Sequence, residues 1–140
     1  MAAVSWDKYR DQGLLILRIG LGIMFIYHGA PKLLAGPHMW YKLGMAMGFL
    51  GIHFLPTAWG FMAAFVECIG GLFLIGGFFF RTACALLAFD MIVAAAMHLG
   101  SHQGLASASH AIEDGIVFLA LVLIGPGANS VDWLRTRGGK

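Results

Sequence analysis

Long apolar stretches alternate along the chain with shorter connections that contain charged residues, glycine or proline. Four of these stretches, at about residues 14–34, 61–80, 82–99 and 108–125, approach or reach the roughly 20 residues that an α-helix needs to cross a bilayer. Glycine and proline in the connections are typical of helix ends. The pattern predicts an all-α fold, an integral membrane four-helix bundle formed by the whole chain as one domain.

The connection between the first two predicted helices, residues 35–60, is long and rich in aromatic residues. Trp40, Tyr41 and Trp59 suit the boundary between lipid and water, where amphipathic rings concentrate. Residues 39–55 therefore have two interpretations. They form a short interfacial helix that covers the mouth of the bundle, or a plain loop held by its aromatic anchors.

The composition supports a bilayer as the solvent of this chain. Apolar residues make up 59% of it and charged residues 11%, whereas a soluble domain is near half apolar and a quarter charged. The net charge of +2 is small, and lysine and arginine concentrate toward the chain ends, which argues against a nucleic-acid partner. The first 13 residues are polar and the apolar stretch after them carries Arg18, so we expect a retained helix rather than a cleaved signal peptide.

The distribution of positive residues predicts the orientation. Four spans place both termini on one side of the membrane, and that side receives six positive residues: Lys8, Arg10, Arg81, Arg135, Arg137 and Lys140. The other side receives Lys32 and Lys42. Because cytoplasmic connections carry the excess of lysine and arginine, we expect both termini in the cytoplasm.

Ionisable side chains within the predicted spans are the strongest functional signal. Each costs about 2.5–3.5 kcal/mol on insertion scales, and such groups usually face the bundle interior or water. All six histidines lie in or beyond the outer half of the predicted bundle. The sequence predicts a polar, titratable mouth on the outer side, and the candidate residues for this site are His28, Lys32, Glu67, His98, His110 and Glu113.

Several of these candidates have plainer interpretations. Lys32 and His98 lie near the interface and could extend their polar ends toward water, and His110 could cap its helix. Arg18 and Asp90 are predicted to lie deeper, where an ion pair between helices would neutralise both. Histidine and carboxylate suit zinc, copper or iron, but no compact ligand motif is present, so the sequence predicts no metal site.

Three segments carry a resemblance to a known family. They are L-R-I-G-L-G-I-M-F-I-Y-H-G-A-P-K-L in the first span, F-V-E-C-I-G-G-L-F-L-I-G-G-F-F-F-R-T-A in the second and A-L-L-A-F-D-M-I-V-A-A-A-M-H in the third. The chain resembles the DoxX family of small bacterial four-helix membrane proteins over about residues 13–125. The resemblance implies a multi-pass protein of the bacterial inner membrane, in a broad group that includes subunits of thiosulfate:quinone oxidoreductase.

One functional hypothesis is a subunit of a quinone-linked redox system in sulfur, thiol or oxidative-stress chemistry. His28 and Glu67 would donate protons or hydrogen bonds to a quinone, and Lys32 would stabilise developing negative charge, because histidine and carboxyl groups suit proton transfer. His98, His110 and Glu113 would complete the binding site. A redox partner protein would bring or remove the electrons.

A second hypothesis is a non-catalytic subunit that assembles an oxidoreductase, or a carrier that passes protons or a small solute through the polar core. A third is that the polar residues simply join the helices by hydrogen bonds, worth about 0.6 kcal/mol each in membranes. Contact with the lipid bilayer is common to all three. Assembly into a homo-oligomer stays open.

Overall fold

The computed structural model describes residues 9–137, which form six α-helices and a 3-10 helix. In chain order these are α1 Arg10–Leu34, α2 Pro37–Gly44, the 3-10 helix Met45–Leu50, α3 Pro56–Gly76, α4 Phe80–Gly100, α5 Leu105–Ile124 and α6 Val131–Arg137. Four of them, α1, α3, α4 and α5, are long and apolar enough to cross a membrane. The predicted all-α bundle with four membrane-spanning helices is confirmed.

The second spanning helix, α3, differs most from its predicted range. It begins at Pro56, which occupies the first turn where a proline does not interrupt the hydrogen bonds of a helix. It ends at Gly76, because Gly77 takes a left-handed conformation with φ of 62° and its N–H bonds back to the Leu74 carbonyl. The prediction had continued this helix to residue 80 through an unbroken apolar run.

The connection between α1 and α3 is helical over most of its length. We name residues 37–50, which comprise α2 and the 3-10 helix, the cover, because they pack on α3 and α4 at one end of the bundle. Of the two interpretations of residues 39–55, the helical one holds as far as Leu50. The Trp40 ring packs edge-on against Phe61, and its Nε1 donates to the Lys32 carbonyl oxygen at 3.1 Å.

Close packing of α1 on α3 depends on glycines. A Cβ at Gly22 would lie 2.6 Å from the Gly71 carbonyl oxygen, and a Cβ at Gly29 would lie 2.5 Å from the Cys68 backbone nitrogen. At these two positions the backbones are so close that there is no room for a side chain. Small residues are the usual means by which helices associate in lipid, where no hydrophobic force drives them together.

The middle of the bundle is a dense apolar core. Leu74 of α3, Phe80 and Leu87 of α4 and Phe118 of α5 have no exposed surface. The ring of Phe118 meets Phe25 of α1 edge-to-face at 4.9 Å, so all four spanning helices contribute. This layer separates the two ends of the bundle.

Both ends of the described chain meet at one end of the bundle, which we name the terminal end. There the Asp132 carboxylate accepts hydrogen bonds from the Phe79 and Phe80 amides at the start of α4, at 3.0 and 2.8 Å. Asp11 of α1 accepts one from the Ala128 amide at 2.9 Å. The opposite end, which carries the cover and the α4–α5 connection, we name the cover end.

The positive residues divide between these ends as the orientation prediction requires. The described residues Arg10, Arg81, Arg135 and Arg137 belong to elements at the terminal end. Lys8 and Lys140, which also entered that prediction, lie outside the described residues. The cytoplasmic location of the termini stays a prediction.

Candidate functional site at the cover end

An ion pair between Lys32 and Glu67 joins α1 to α3. The Lys32 Nζ donates to both carboxylate oxygens of Glu67 at 2.7 Å, and the side chain of Glu67 is only 8% exposed. Gly29 allows this contact, because it lies about one turn before Lys32 and a Cβ there would come 2.7 Å from the Glu67 Cβ. Both residues were predicted site residues, and the structure brings them together.

Asp90 completes a triad with this pair. Its carboxyl group is close enough to that of Glu67 for the two to share a hydrogen bond, and the Lys32 ammonium is also near. Glu67 lies eleven residues from the start of α3, and Asp90 lies ten residues from the end of α4. In these antiparallel helices, both are about 15–17 Å from the cover end. Asp90 was predicted to lie deeper than Glu67, because the predicted α3 began at residue 61, more than one turn too late.

The predicted ion pair between Arg18 and Asp90 is wrong. Arg18 lies at the terminal end, is 1% exposed, and forms no ion pair with Asp90 in residues 9–137. Its guanidinium instead donates to four backbone carbonyls at 2.8–2.9 Å, those of Leu74, Ile75, Pro126 and Asn129. Leu74 and Ile75 belong to the last turn of α3, whose carbonyls have no partner within the helix, whereas Pro126 and Asn129 belong to the α5–α6 connection. The buried arginine therefore joins the end of α3 to this connection and complements the dipole of α3.

A cavity of about 320 Å³ lies beside the triad, between α3, α4, the end of α1 and the cover. Its polar wall consists of Lys32, Glu67, Asp90 and His98. The remaining lining is mainly apolar, including Met47, Met62, Val66, Phe89 and Met97. An apolar chamber with a few converging polar groups has the composition of a small-molecule site.

Trp59 and His98 add hydrogen-bonding groups to the wall of the cavity. Trp59 lines it, and its indole Nε1 is buried without a hydrogen-bond partner in the described part of the chain. A buried donor without a partner is costly, which makes this N–H a candidate contact for a ligand oxygen. The Nδ1 of His98 bonds Gln103 Oε1 at 2.7 Å. Because the Gln103 oxygen accepts, Nδ1 is the donor in this hydrogen bond, which leaves Nε2 for another contact.

The other predicted site residues do not line this cavity. His28 on α1 and His110 and Glu113 on α5 are exposed, and they belong to a second polar group in which Asp114 lies near His28, His110 and Glu113. These three residues therefore lie at the cover end, as predicted, but they do not line the cavity, and their role in ligand binding stays a prediction. In a helix each residue turns by about 100°, so residues at one depth face different sides of the bundle. Within residues 9–137 no group of three or more histidine, cysteine or carboxylate side chains is arranged to hold a metal ion.

Comparison with known proteins identifies the family. The family model described as DoxX matches residues 13–100. The chain belongs to the DoxX family. It is also 34% identical over 137 residues to the inner membrane protein YqjF of Escherichia coli strain K12, covering 93% of this chain and 97% of that protein. No solved structure matches.

The resemblance to DoxX proteins and the predicted localisation are thereby confirmed. With four helices that can cross a bilayer, the chain is a multi-pass inner-membrane protein. The segment that matches the DoxX model contains every residue that lines the cavity, from Lys32 to His98. The polar group around Asp114 lies partly outside it, since α5 begins at Leu105.

Two cavity residues of this DoxX protein were missed or misassigned from the sequence, although a periodic signal for them exists. The lining positions on α3 are 59, 62, 63, 66 and 67, and those on α4 are 86, 89, 90, 93, 94, 97 and 98. Both sets follow the spacing of a single helical face. Counting back from Glu67 in steps of four reaches Trp59, and counting forward from Asp90 reaches His98. Trp59 had been assigned only to the interface, and Asp90 only to Arg18.

Proposed function

We propose that the cavity binds the head group of a membrane quinone and that the chain is the membrane subunit of a quinone-linked redox system. One observation carries this proposal: an apolar cavity of about 320 Å³ is lined by the Lys32–Glu67–Asp90 triad and by Trp59, whose buried indole N–H has no partner among residues 9–137. The volume lies at the lower limit of small-molecule sites, about 300–1,000 Å³, which suits a single ring system.

The donors on the cavity wall match the chemistry of a quinone. A quinone ring presents two carbonyl oxygens, both hydrogen-bond acceptors, and takes up two protons when it receives two electrons. Lys32 and Trp59 both line this cavity, and their ammonium and indole N–H groups are hydrogen-bond donors. Apolar side chains such as Met62, Val66 and Phe89 suit the faces of the ring.

Proton exchange in this proposal belongs to the two carboxyl groups. Glu67 and Asp90 both line the cavity, and Asp90 lies near Glu67 and the Lys32 ammonium. Carboxyl groups suit the transfer of protons to a bound ring. His98, through Nε2, is a second group able to accept or pass a proton at the wall. A partner redox protein would exchange the electrons.

The dense core weakens the alternative of a carrier. Leu74, Leu87 and Phe118 are fully buried between the triad and the terminal end, and they belong to one apolar core cluster. A pocket reached from one side fits this arrangement better than a path through the bundle. The alternative of a non-catalytic assembly subunit is an outcome of the experiment below.

The experiment is to purify the full chain in mild detergent, extract its lipids for mass spectrometry, and titrate the apo protein with a tail-free benzoquinone by tryptophan fluorescence. We expect bound quinone in the extract and saturable quenching. Glu67→Gln should weaken binding by about tenfold or more, equivalent to about 1.4 kcal/mol. Glu113→Gln, which changes a carboxylate of α5 that does not line the cavity, is the matched control and should bind quinone as the wild-type protein does.

Absence of quinone and of quenching in a monodisperse, helical preparation would overturn the proposal and favour the assembly subunit. Equal effects of Glu67→Gln and Glu113→Gln would contradict the assignment of the site to this cavity.

A further inference from the structure

We propose that the cavity opens sideways into the bilayer between α3 and α4, and that its ligand has a long apolar tail that leaves through this opening. The inference rests on the proposed function, because it assumes that the cavity holds a ligand head group. It adds the route of access and the chemical class of the ligand: a lipid-phase molecule rather than a water-soluble one. Four observations on the walls of the cavity support it.

The cover is fixed tightly to α3. At the crossing of α2 and α3, a Cβ on Gly44 would overlap the Pro56 carbonyl oxygen, and a Cβ on Gly60 would overlap the Trp40 carbonyl oxygen. Two backbones in direct contact leave no gap for a ligand. Such close packing also holds the cover against α3, so the cover does not act as a loosely attached lid.

The cover is closed against α4 in the same way. A Cβ at Gly100, the last residue of α4, would collide with the ring of Phe49 from the 3-10 helix. Beneath this contact, Ala46 and Met47 of the cover and Val93 of α4 form a small buried cluster, with 4–8% of their surface exposed. The end of the cavity that faces water is therefore covered by packed side chains.

The side between α3 and α4 is different. Among the lining residues, only three are exposed: Met62 at 45%, Leu86 at 47% and Phe89 at 45%. All three are apolar and belong to membrane-spanning helices. We name them the lateral residues.

The depth of the lateral residues places the opening within the hydrocarbon region. Met62 lies six residues from the start of α3, and Leu86 lies fourteen residues from the end of α4. These counts correspond to about 9 Å and about 21 Å below the cover end. A water-soluble compound would have to cross lipid to reach such an opening, whereas a prenyl-tailed or alkyl-tailed compound is dissolved there already.

The opening and the triad together define the orientation of the ligand. Its polar head group contacts the triad and the Trp59 N–H, and its tail passes the lateral residues into the acyl chains. This arrangement needs no room for the tail inside the protein. It agrees with a cavity of about 320 Å³, near the lower limit for a ligand site.

The experiment compares decylubiquinone with its tail-free parent ring, using the full chain in lipid nanodiscs. Met62→Trp and Leu86→Trp narrow the opening. Leu72→Trp on α3 and Ile92→Trp on α4 are the matched controls, because both positions are about half exposed and neither lines the cavity. Size-exclusion profiles and helical circular dichroism establish that each variant is folded.

We expect the two narrowing variants to lose decylubiquinone binding by about tenfold or more, equivalent to about 1.4 kcal/mol. At equilibrium they should bind the tail-free ring nearly as wild type does, because a narrower opening slows entry of the ring but leaves its contacts in the cavity unchanged. The control variants should bind both ligands normally. As a second measurement, a quinone with a diazirine on its tail should photolabel α3 and α4 at or beside the lateral residues.

Normal decylubiquinone binding by both narrowing variants, or tail photolabels confined to the cover, would overturn the lateral opening while leaving quinone binding intact. Failure of the tail-free ring to bind the wild-type protein would instead overturn the proposed function, and with it this inference. The two failures are therefore distinguishable.

Discussion

The Nζ of Lys32 lies 2.7 Å from both carboxylate oxygens of Glu67, and the helices that carry them touch at Gly29 and Cys68. A close backbone approach of α1 to α3 and the ion pair that joins these two helices are thus about one turn apart. A contact of this kind fixes the two helices in one register. Its contribution to the stability of the protein can be measured separately from its role in ligand binding.

Removing one partner of this pair should destabilise the protein strongly. Lys32→Met leaves the Glu67 carboxylate, 8% exposed, without its counter-ion, and the loss of one member of a buried pair costs about 3–5 kcal/mol. The double variant Lys32→Met with Glu67→Met should recover most of this loss. Denaturation of all three variants in detergent completes a double-mutant cycle, with the exposed Lys42→Met as control. Additive losses would contradict the ion pair.

Replacing Trp59 by phenylalanine should lower quinone affinity, whereas the same replacement at Trp40 should lower stability. Trp59→Phe removes an N–H without a partner, so stability should hold while quinone affinity falls. Trp40→Phe removes the hydrogen bond to the Lys32 carbonyl, which should cost about 1 kcal/mol of stability. Thermal unfolding and quinone titration of both variants test this contrast. A drop in stability without a drop in affinity for Trp59→Phe would argue against a ligand contact.

Adding a methyl group at Gly60 should loosen the packing of the cover on α3. In Gly60→Ala the new Cβ meets the Trp40 carbonyl oxygen, and such overpacking costs about 1–3 kcal/mol. Hydrogen exchange in α2 should then become faster. Gly76→Ala is the control in the same helix, because a Cβ there has nothing within 4 Å. Unchanged exchange in Gly60→Ala would mean that the backbone contact does not hold the cover in place.

Arg18→Lys should weaken the terminal end although the charge is kept. An ammonium group cannot reach the four carbonyls that the planar guanidinium contacts, and hydrogen bonds from charged groups are worth about 1.5–3 kcal/mol each. We expect a lower unfolding temperature and faster tryptic cleavage at Arg135 in α6. Arg10→Lys, an exposed residue of the same helix, should behave as wild type. Wild-type resistance to trypsin in Arg18→Lys would refute the role of Arg18 in holding α6.

The orientation is open to a direct test. With both termini in the cytoplasm, a C-terminal green fluorescent protein should be fluorescent and a C-terminal alkaline phosphatase inactive in bacteria. The reason is the excess of lysine and arginine in segments of the terminal end over those of the cover end. Moving the phosphatase into the α4–α5 connection should make it active. The reverse pattern would show the opposite orientation.

The helices themselves were predictable because apolar length dominates in a bilayer. The residues at which the helices begin and end were less predictable. The unbroken apolar run from Phe78 to Phe80 conceals the end of α3, which depends on the backbone of Gly77 rather than on hydrophobicity. Pro56 marks the beginning of that helix, but the prediction took it as part of the connection. This shift of five residues also determined the level assigned to Glu67.

The contacts that the charged residues make were harder to predict than which residues line the cavity. Lys32, Glu67 and His98 were expected in it, and the structure places them there, but the partner of Arg18 is a set of backbone carbonyls that carry no signature in the sequence. Asp90 had been paired by opposite charge, whereas depth and helical face place it next to Glu67. His28, His110 and Glu113 share a depth with the site and not its face.

The hydrogen bonds that complete the terminal end also have an order in time. The amides of Phe79 and Phe80 begin α4, yet the carboxylate that receives them belongs to Asp132, more than fifty residues later. Two of the carbonyls that Arg18 satisfies, those of Pro126 and Asn129, are likewise translated near the end of the chain. Arg18 therefore has its full set of hydrogen-bond acceptors only after residue 129 has been translated, long after its own helix. A nascent chain that stalls before residue 126 cannot complete the terminal end.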